Sequence, residues 1–310
     1  MATTKSKKTT AKSKAATKTA SVRVEKEAKA EKKAECAANN KSFKESMKGF
    51  FSKKYDVTEN ITTIFSRPQI YGAILGEIIG TMLLMMTIIC LGMTNPLYIW
   101  FAMTAITIAV FGLSGANLNP LITVGMMATR RMSAIRGVLY ILAQIVGAWL
   151  GMTLTAGFKT WSESTIDMPA MAEVADGNFW KVAVIELVGA IILAFFFARA
   201  WKYRKSPLTF GLTVGTGLAV TIIYIYIISQ SYFGLSNNFM VNPAMALMYQ
   251  ILPSAGDNFG EIMGGIFQAL AIYAAFPMVG GVLGFYLADF TSRLSGEKQC
   301  DCGDCPCCKE

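Results

Sequence analysis

Six long apolar runs constrain the fold of this chain more than any other feature. They lie at about residues 70–94, 97–113, 136–157, 178–200, 207–229 and 260–288. A helix needs about 20 apolar residues to cross a hydrocarbon core of roughly 30 Å. Because 53% of the residues are hydrophobic, only 16% are charged and the apolar residues fall in these runs, the chain is an integral membrane protein. The runs predict an all-α membrane protein with six transmembrane helices.

Two Asn-Pro boxes lie between these runs, Asn119-Pro120-Leu121 and Asn242-Pro243-Ala244. Asn accepts hydrogen bonds from the free N–H groups of a first helical turn, and Pro at the first helical position loses no needed donor. The apolar segments that follow give about two turns each, or roughly 12 Å at 1.5 Å per residue. That length reaches only halfway across a bilayer. Irregular backbone at this depth survives only in protein or beside water, so two re-entrant half-helices predict a cavity.

The chain also contains an internal repeat. Glu77 lies in the first run and Glu186 in the fourth, and each is followed three residues later by a glycine. Each half then continues with a second run, an Asn-Pro box and a third run. Since three spans separate the halves, the two have opposite orientations, as in inverted-repeat transport folds. A carboxyl group inside a span needs a partner, and two roles are open for these glutamates: accepting hydrogen bonds from the re-entrant loops, or relaying protons.

These features resemble the aquaporins and aquaglyceroporins of the major intrinsic protein family, over roughly residues 70–290. The paired boxes carry the resemblance, and Ser114-Gly115-Ala116 and Asn117 before the first box strengthen it. The resemblance implies that the two half-helices meet at the centre of a pore. It also implies a homotetramer, and it favours the loop-supporting role for Glu77 and Glu186.

The family's narrowest point lies on the outer side of the boxes. Counted by the family's spacing from each Asn, its four positions fall on Ile99, Gln230, Phe239 and Met245, with Trp100 as the alternative to Ile99. The sequence departs from the family here, because the family usually has Arg at the position of Met245 and many water-selective members have His in the fifth span. Without a fixed cation the ring has fewer donors and a weaker barrier to positive ions, which predicts looser or more hydrophobic selectivity. Ala246, where glycerol-conducting members have Asp, counts against a dedicated glycerol facilitator.

Charge is concentrated at the N-terminus, which predicts the orientation of the chain. Residues 1–67 hold 17 Lys and Arg against 7 Asp and Glu, a balance of 17 − 7 = +10, compared with +9 for the whole chain. The loops predicted on the same side carry further basic residues, namely Arg130, Arg131, Arg136, Arg199, Lys202, Arg204, Lys205 and Arg293. By the positive-inside rule both termini are cytoplasmic, and we expect a multi-pass protein of the plasma membrane.

Three regions follow from this pattern: a basic tail at 1–67, a channel domain at 68–290 and a cysteine-rich tail at 291–310. The composition of residues 1–41 is typical of disorder, and Phe43 to Lys54 could form an interfacial amphipathic helix. Contact with anionic lipid is the simpler interpretation of the basic tail, so no specific nucleic acid is expected. Five cysteines crowd the other tail: Cys300, Cys302, Cys305, Cys307 and Cys308. Their spacing suits Zn(II) or Cu(I), with lipidation and redox chemistry as alternatives.

The chain contains no histidine, which removes any Ser-His or Cys-His arrangement, so neither an enzyme nor a bound cofactor is expected. The favoured function is a passive channel for water, with small neutral solutes as further candidates. A structural or adhesion protein with a closed pore is the first alternative, with Phe239 and Met245 as plugs. A channel with relaxed selectivity for other solutes or ions, and a metal-responsive channel, are the others.

Overall fold

The structure is a computed structural model that describes residues 64–91, 95–162, 174, 177–235, 239–251 and 259–295. The predicted interfacial helix and cysteine cluster, and with them nearly all of both tails, lie outside the described residues. All regular secondary structure within the described ranges is helical. The helices are α1 (Gln69–Leu91), α2 (Pro96–Ser114), α3 (Pro120–Ala128), α4 (Ala134–Trp161), α5 (Phe179–Ala200), α6 (Pro207–Ile227), α7 (Pro243–Ala246), α8 (Phe259–Leu270) and α9 (Phe276–Leu294).

Six of the helical segments are long and apolar enough to cross a membrane, which confirms the predicted number of spans. They cover Gln69–Leu91, Pro96–Ser114, Ala134–Trp161, Phe179–Tyr203, Pro207–Tyr232 and Ile262–Leu294. The last span joins α8 and α9 through a π-helical turn at Ala271–Ala275 and runs six residues past its predicted end at 288. Within this extension, Asp289 forms an ion pair with Arg131.

The remaining helices, α3 and α7, are the two predicted half-helices. The first has nine residues, and the second has four α-helical residues that continue into a π-helical segment, Leu247–Ile251. Both begin with Pro at the first helical position, behind an Asn in an extended conformation. The boxes therefore start helices as predicted.

The helices pack as an inverted repeat predicts. Helix α1 packs on α4 as α5 packs on α9, and α1 packs on α2 as α5 packs on α6. Each half-helix packs against the third span of the opposite half: α3 packs on α9, and α7 packs on α4. Helices α2 and α6 pack on each other across the two halves. This set of contacts maps onto itself when the halves are exchanged, which is the signature of a two-fold axis.

Glycines let the helix backbones approach closely at equivalent places in the two halves. A Cβ added to Gly147 of α4 would lie 2.4 Å from the carbonyl oxygen of Ile78 on α1. A Cβ on Gly280 of α9 would lie 2.6 Å from the carbonyl oxygen of Leu187 on α5. The glycine one turn further on in each helix is equally close to its neighbour. These glycines therefore form small-residue seams between the helices.

These contacts predict that Gly147→Ala destabilises the fold by about 1–3 kcal/mol, because the methyl group overpacks α4 against α1. Gly157→Ala is the matched control, since that glycine lies in the same helix with no atom within 4 Å of the added Cβ. Thermal unfolding in detergent should show a lower Tm for the first variant and an unchanged or slightly higher Tm for the second. Equal Tm values for the two variants would contradict the seam.

Candidate functional site

The two Asn-Pro boxes meet and hold each other through reciprocal hydrogen bonds. Asn119 Oδ1 accepts from the N–H of Leu121 at 3.0 Å, and its Nδ2 donates to the carbonyl oxygen of Val241 at 2.8 Å. In the other box, Asn242 Oδ1 accepts from the N–H of Ala244 at 3.1 Å, and its Nδ2 donates to the carbonyl oxygen of Leu118 at 3.1 Å. Each Asn thus caps its own half-helix and binds the residue just before the opposite Asn.

This geometry limits the number of amide N–H groups that the asparagines can offer to a solute. An amide nitrogen carries two hydrogens, and one of them is used here in the bond to the opposite loop. One N–H group of each Asn is therefore the most that can serve a solute.

The residue before each Asn has an unusual backbone conformation. Leu118 has φ of 56° and Val241 has φ of 47°, both in the left-handed region. This region disfavours residues other than glycine, and a β-branched Val most of all. The strained conformation turns each carbonyl oxygen to the amide of the opposite Asn, so the surrounding structure must hold it in place.

The buried carboxylates Glu77 and Glu186 lie behind these strained residues. Glu77 accepts from the N–H groups of Asn117 and Leu118 at 3.0 and 2.7 Å. Glu186 accepts in the same way from Met240 and Val241 at 2.7 and 3.0 Å. Each carboxylate therefore binds two successive N–H groups of one re-entrant loop. Buried N–H groups in lipid would otherwise lack an acceptor.

The glycine three residues after each glutamate has a matching use. A Cβ on Gly80 would lie 2.4 Å from a side-chain methyl of Leu118. A Cβ on Gly189 would lie 2.3 Å from a methyl of Ile225 on α6 and 3.2 Å from a side-chain methyl of Val241. In both halves the glycine leaves space near the residue whose N–H group the glutamate binds, and in the second half it also leaves space for α6.

The surroundings of the two loops differ in polarity. In the first half, Gln144 Nε2 donates to Glu77 at 2.7 Å and to Thr123 Oγ1 at 2.9 Å, and Asn117 Nδ2 also donates to Thr123. The positions that correspond to Asn117 and Thr123 in the second half, counted from Asn242, are Met240 and Ala246. The first box therefore lies in a polar network, and the second lies among apolar side chains.

A cavity lies at the meeting point of the boxes. Its volume is about 40 Å³, which is large enough to hold water. Its walls are mostly apolar, and among the described residues that line it the polar side chains are those of Asn117, Asn119, Asn242 and Tyr226. The other lining residues are Leu84, Ile88, Met103, Ile122, Leu193, Phe197, Val214, Leu218, Ile222, Ile225, Phe239, Met240, Val241 and Met245.

Of the four residues predicted for the constriction, two line the cavity and two do not. Phe239 and Met245 line the cavity, with exposures of 7% and 0%. Ile99 is buried and Gln230 is exposed, and neither is among the lining residues. The alternative Trp100 does not line the cavity either, and its Nε1 donates to Thr216 Oγ1.

The lining side chains nearest to the predicted positions in the second and fifth spans lie one turn away. They are Met103, four residues after Ile99, and Tyr226, four residues before Gln230. Counting from the Asn assumed the family's loop length, whereas Gln230 lies in a π-helical segment, Ile228–Tyr232, that follows α6. The spans are apolar on all sides, so no sequence periodicity singles out the lining face.

The described residues contain no group of three or more His, Cys, Asp or Glu side chains that could hold a metal ion. The predicted cysteine ligands, Cys300 to Cys308, lie outside these ranges. A third Asn-Pro pair, Asn95-Pro96, is described, and it caps α2 at an exposed position away from the cavity. Asn-Pro alone therefore marks a helix start, and only burial in a re-entrant loop makes it part of this site.

Comparison with known proteins decides the family. The sequence model of the family described as major intrinsic protein matches residues 64–287, which is more than two-thirds of the chain. The chain belongs to the major intrinsic protein family. That family includes the aquaporins. The helix order, the two half-helices and the loops bound by Glu77 and Glu186 are thus features of one of its members.

Individual members of the family are distant relatives. Aquaporin C of Dictyostelium discoideum is 28% identical over 182 residues, covering 55% of this chain and 62% of the relative. Human aquaporin-1 is 26% identical over 193 residues, covering 61% and 65%. Both matches span less than two-thirds of the relative's length. The X-ray structure of the aquaglyceroporin from Plasmodium falciparum, at 18% identity, has the same fold with a TM-score of 0.58 over 74% of this chain and 100% of that one.

In this major intrinsic protein, Glu186→Gln should destabilise the second re-entrant loop. Gln offers one acceptor oxygen where Glu offers two, so one of the N–H groups of Met240 and Val241 is left without an acceptor, at a cost of about 1–3 kcal/mol. Thermal unfolding in detergent should show a lower Tm. Thr213→Val is the control, because that exposed hydroxyl only donates to the carbonyl oxygen of Thr209 within α6. A Tm for Glu186→Gln that equals that of the control would refute the role of the carboxylate.

Proposed function

We propose that this protein is a passive transmembrane channel for water, with a pore that passes between the two Asn-Pro boxes. The observation that carries the proposal is that Asn119 and Asn242, from opposite halves of the chain, line one cavity with room for water. Relatives named aquaporins support the same conclusion.

The boxes supply the hydrogen bonds that a water molecule needs in a narrow passage. Each Asn has a second amide N–H group that is not used in the bond to the opposite loop, and that group can donate to the oxygen of a passing water. Two such donors replace part of the hydration that water loses in single file.

The half-helices also provide a barrier to cations. The N-terminus of each helix carries about half a positive charge, and two of these ends meet at the boxes. A neutral solute is indifferent to this potential, whereas a cation is repelled. No charged side chain lines the cavity within the described residues, so no carboxylate offsets the repulsion.

The outer part of the passage is apolar and has flexible walls. Met245 stands where the family usually has Arg, and Met103, Met240 and Phe239 lie beside it along the cavity. Unbranched methionine side chains adapt to different shapes. We therefore propose that small neutral solutes also pass, with weaker discrimination against them than a ring with a fixed cation would give.

The setting of the channel is proposed from charge and family resemblance. Both termini face the cytoplasm of a plasma-membrane protein, because the loops between α3 and α4 and between α5 and α6 carry the basic residues. The basic N-terminal tail contacts anionic lipid of the inner leaflet. We expect a homotetramer by resemblance to the family.

Osmotic swelling of proteoliposomes tests the proposal. Stopped-flow measurements should show higher water permeability than in empty vesicles, and Asn242→Leu should lower it several-fold. The substitution keeps the branched shape of the side chain but removes both the cap and the donor. Asn95→Leu is the matched control, because it removes the same kind of cap from the exposed Asn-Pro pair of α2.

Each alternative predicts a different result in the same preparation. A closed-pore structural protein would leave water and glycerol permeability at the level of empty vesicles. Relaxed selectivity that extends to ions would give a current in planar bilayers. Permeability that is equal in wild type and Asn242→Leu would show that the water does not pass the boxes.

A further inference from the structure

The cavity ends, on the side of the basic loops, at a single aromatic side chain. Phe197 lies three residues before the end of α5 and is the lining residue nearest to that end. The nearest lining residue of α6 is Val214, seven residues after the start of that helix. The side chain of Phe197 is only 1% exposed, so it is packed among its neighbours at this end of the cavity.

Three aromatic rings contact Phe197, and a fourth packs against one of them. Its ring centroid lies 5.3 Å from that of Phe210 and 6.1 Å from that of Phe285. Trp201 stacks on it at 6.4 Å with an interplanar angle of 22°. Phe111 contacts Phe210 at 4.6 Å. We call these five residues the aromatic layer.

The aromatic layer lies between the cavity and the basic side of the membrane. Phe210 and Phe285 are fully buried and do not line the cavity. The Trp201 ring lies 3.8 Å from where a Cβ on Gly115 would be, so it packs against the start of the first re-entrant loop. On the far side, Arg131 lies over Phe285 at 5.3 Å and Arg204 lies over Trp201 at 5.8 Å. Cations on that face mark the boundary with the basic loops.

We propose that Phe197 forms a second constriction of the passage, separate from the ring on the outer side of the boxes, and that it limits the rate of permeation. This inference rests on the proposed channel function. Its three ring contacts, one stacked, one edge-on and one tilted, favour one orientation of the ring in a close-packed interior. Trp201 does not line the cavity, and it acts by positioning Phe197. An apolar constriction of this kind impedes water because it offers no hydrogen bond in exchange for hydration.

Water permeability tests the constriction. Phe197→Ala should raise the permeability per protein on the order of tenfold, the equivalent of about 1.4 kcal/mol from the barrier. Phe197→Leu keeps an apolar side chain in the layer and should give a smaller rise, and Trp201→Ala should also give a smaller rise. Trp180→Ala is the matched control, because Trp180 is an exposed aromatic residue, paired with Phe276 at 6.0 Å, that does not line the cavity. Unchanged permeability in a folded Phe197→Leu and Phe197→Ala pair would overturn the proposal.

Labelling of an introduced cysteine tests the constriction independently of the proposed channel function. The seven native cysteines are replaced by Ser in the full chain, Val214→Cys is added, and Ag⁺ is applied to the basic side of sealed vesicles of known orientation. The thiol should stay free for later alkylation when Phe197 is present and react when Phe197→Ala is added. Reaction in the presence of Phe197 would overturn the constriction. Protection that depends on Phe197, in a protein that conducts no water with or without it, would support the barrier and refute the channel.

Discussion

The reciprocal bonds between Asn119 and Asn242 and the loop carbonyl groups hold this structure together at its centre. Two chain segments without regular structure meet there at membrane depth, where an unsatisfied polar group costs several kcal/mol. Each Asn satisfies one donor of its own half-helix and one carbonyl of the opposite loop. Neither half can complete its loop alone. The hydrogen bonds at the centre therefore require both halves of the inverted repeat.

The Glu-x-x-Gly pattern shows how the surrounding spans support that centre. The carboxylate binds two N–H groups of the loop. The glycine leaves space near the side chain of Leu118 in the first half and of Val241 in the second. This combination maintains Leu118 and Val241 in the left-handed region, where their carbonyl oxygens can reach the opposite Asn. The strain at these two residues is offset by bonds made elsewhere in the loop.

The two halves share this framework but differ in what surrounds it. Gln144, Thr123 and Asn117 form a polar network around the first loop, and Met240 and Ala246 occupy the matching places around the second. In the proposed channel, a solute therefore meets apolar walls as well as the donors of the two boxes and of Asn117. The symmetry explains why the fold is stable, whereas the asymmetry gives the passage its chemical character.

Features that depend on local sequence could be predicted, and those that depend on loop geometry could not. The spans, the N-caps and the repeat follow from apolar run length, from Asn-Pro and from the spacing of Glu and Gly. Met103 and Tyr226 line the cavity one turn from the predicted Ile99 and Gln230, and a sequence that is apolar on all sides of these spans does not single them out. The bond from each Asn amide to the opposite loop, and the aromatic layer, join residues far apart in the chain. No pattern in a single sequence shows that such residues meet.

An experimental structure of the full chain in lipid nanodiscs, at a resolution that shows side chains, would test directly whether the two Asn-Pro boxes bind each other. Asn119 Nδ2 should lie within hydrogen-bond distance of the Val241 carbonyl oxygen, and Asn242 Nδ2 within that distance of the Leu118 carbonyl oxygen, beside a water-filled cavity. A structure in which the two asparagines lie apart, or in which either one faces lipid, would contradict it.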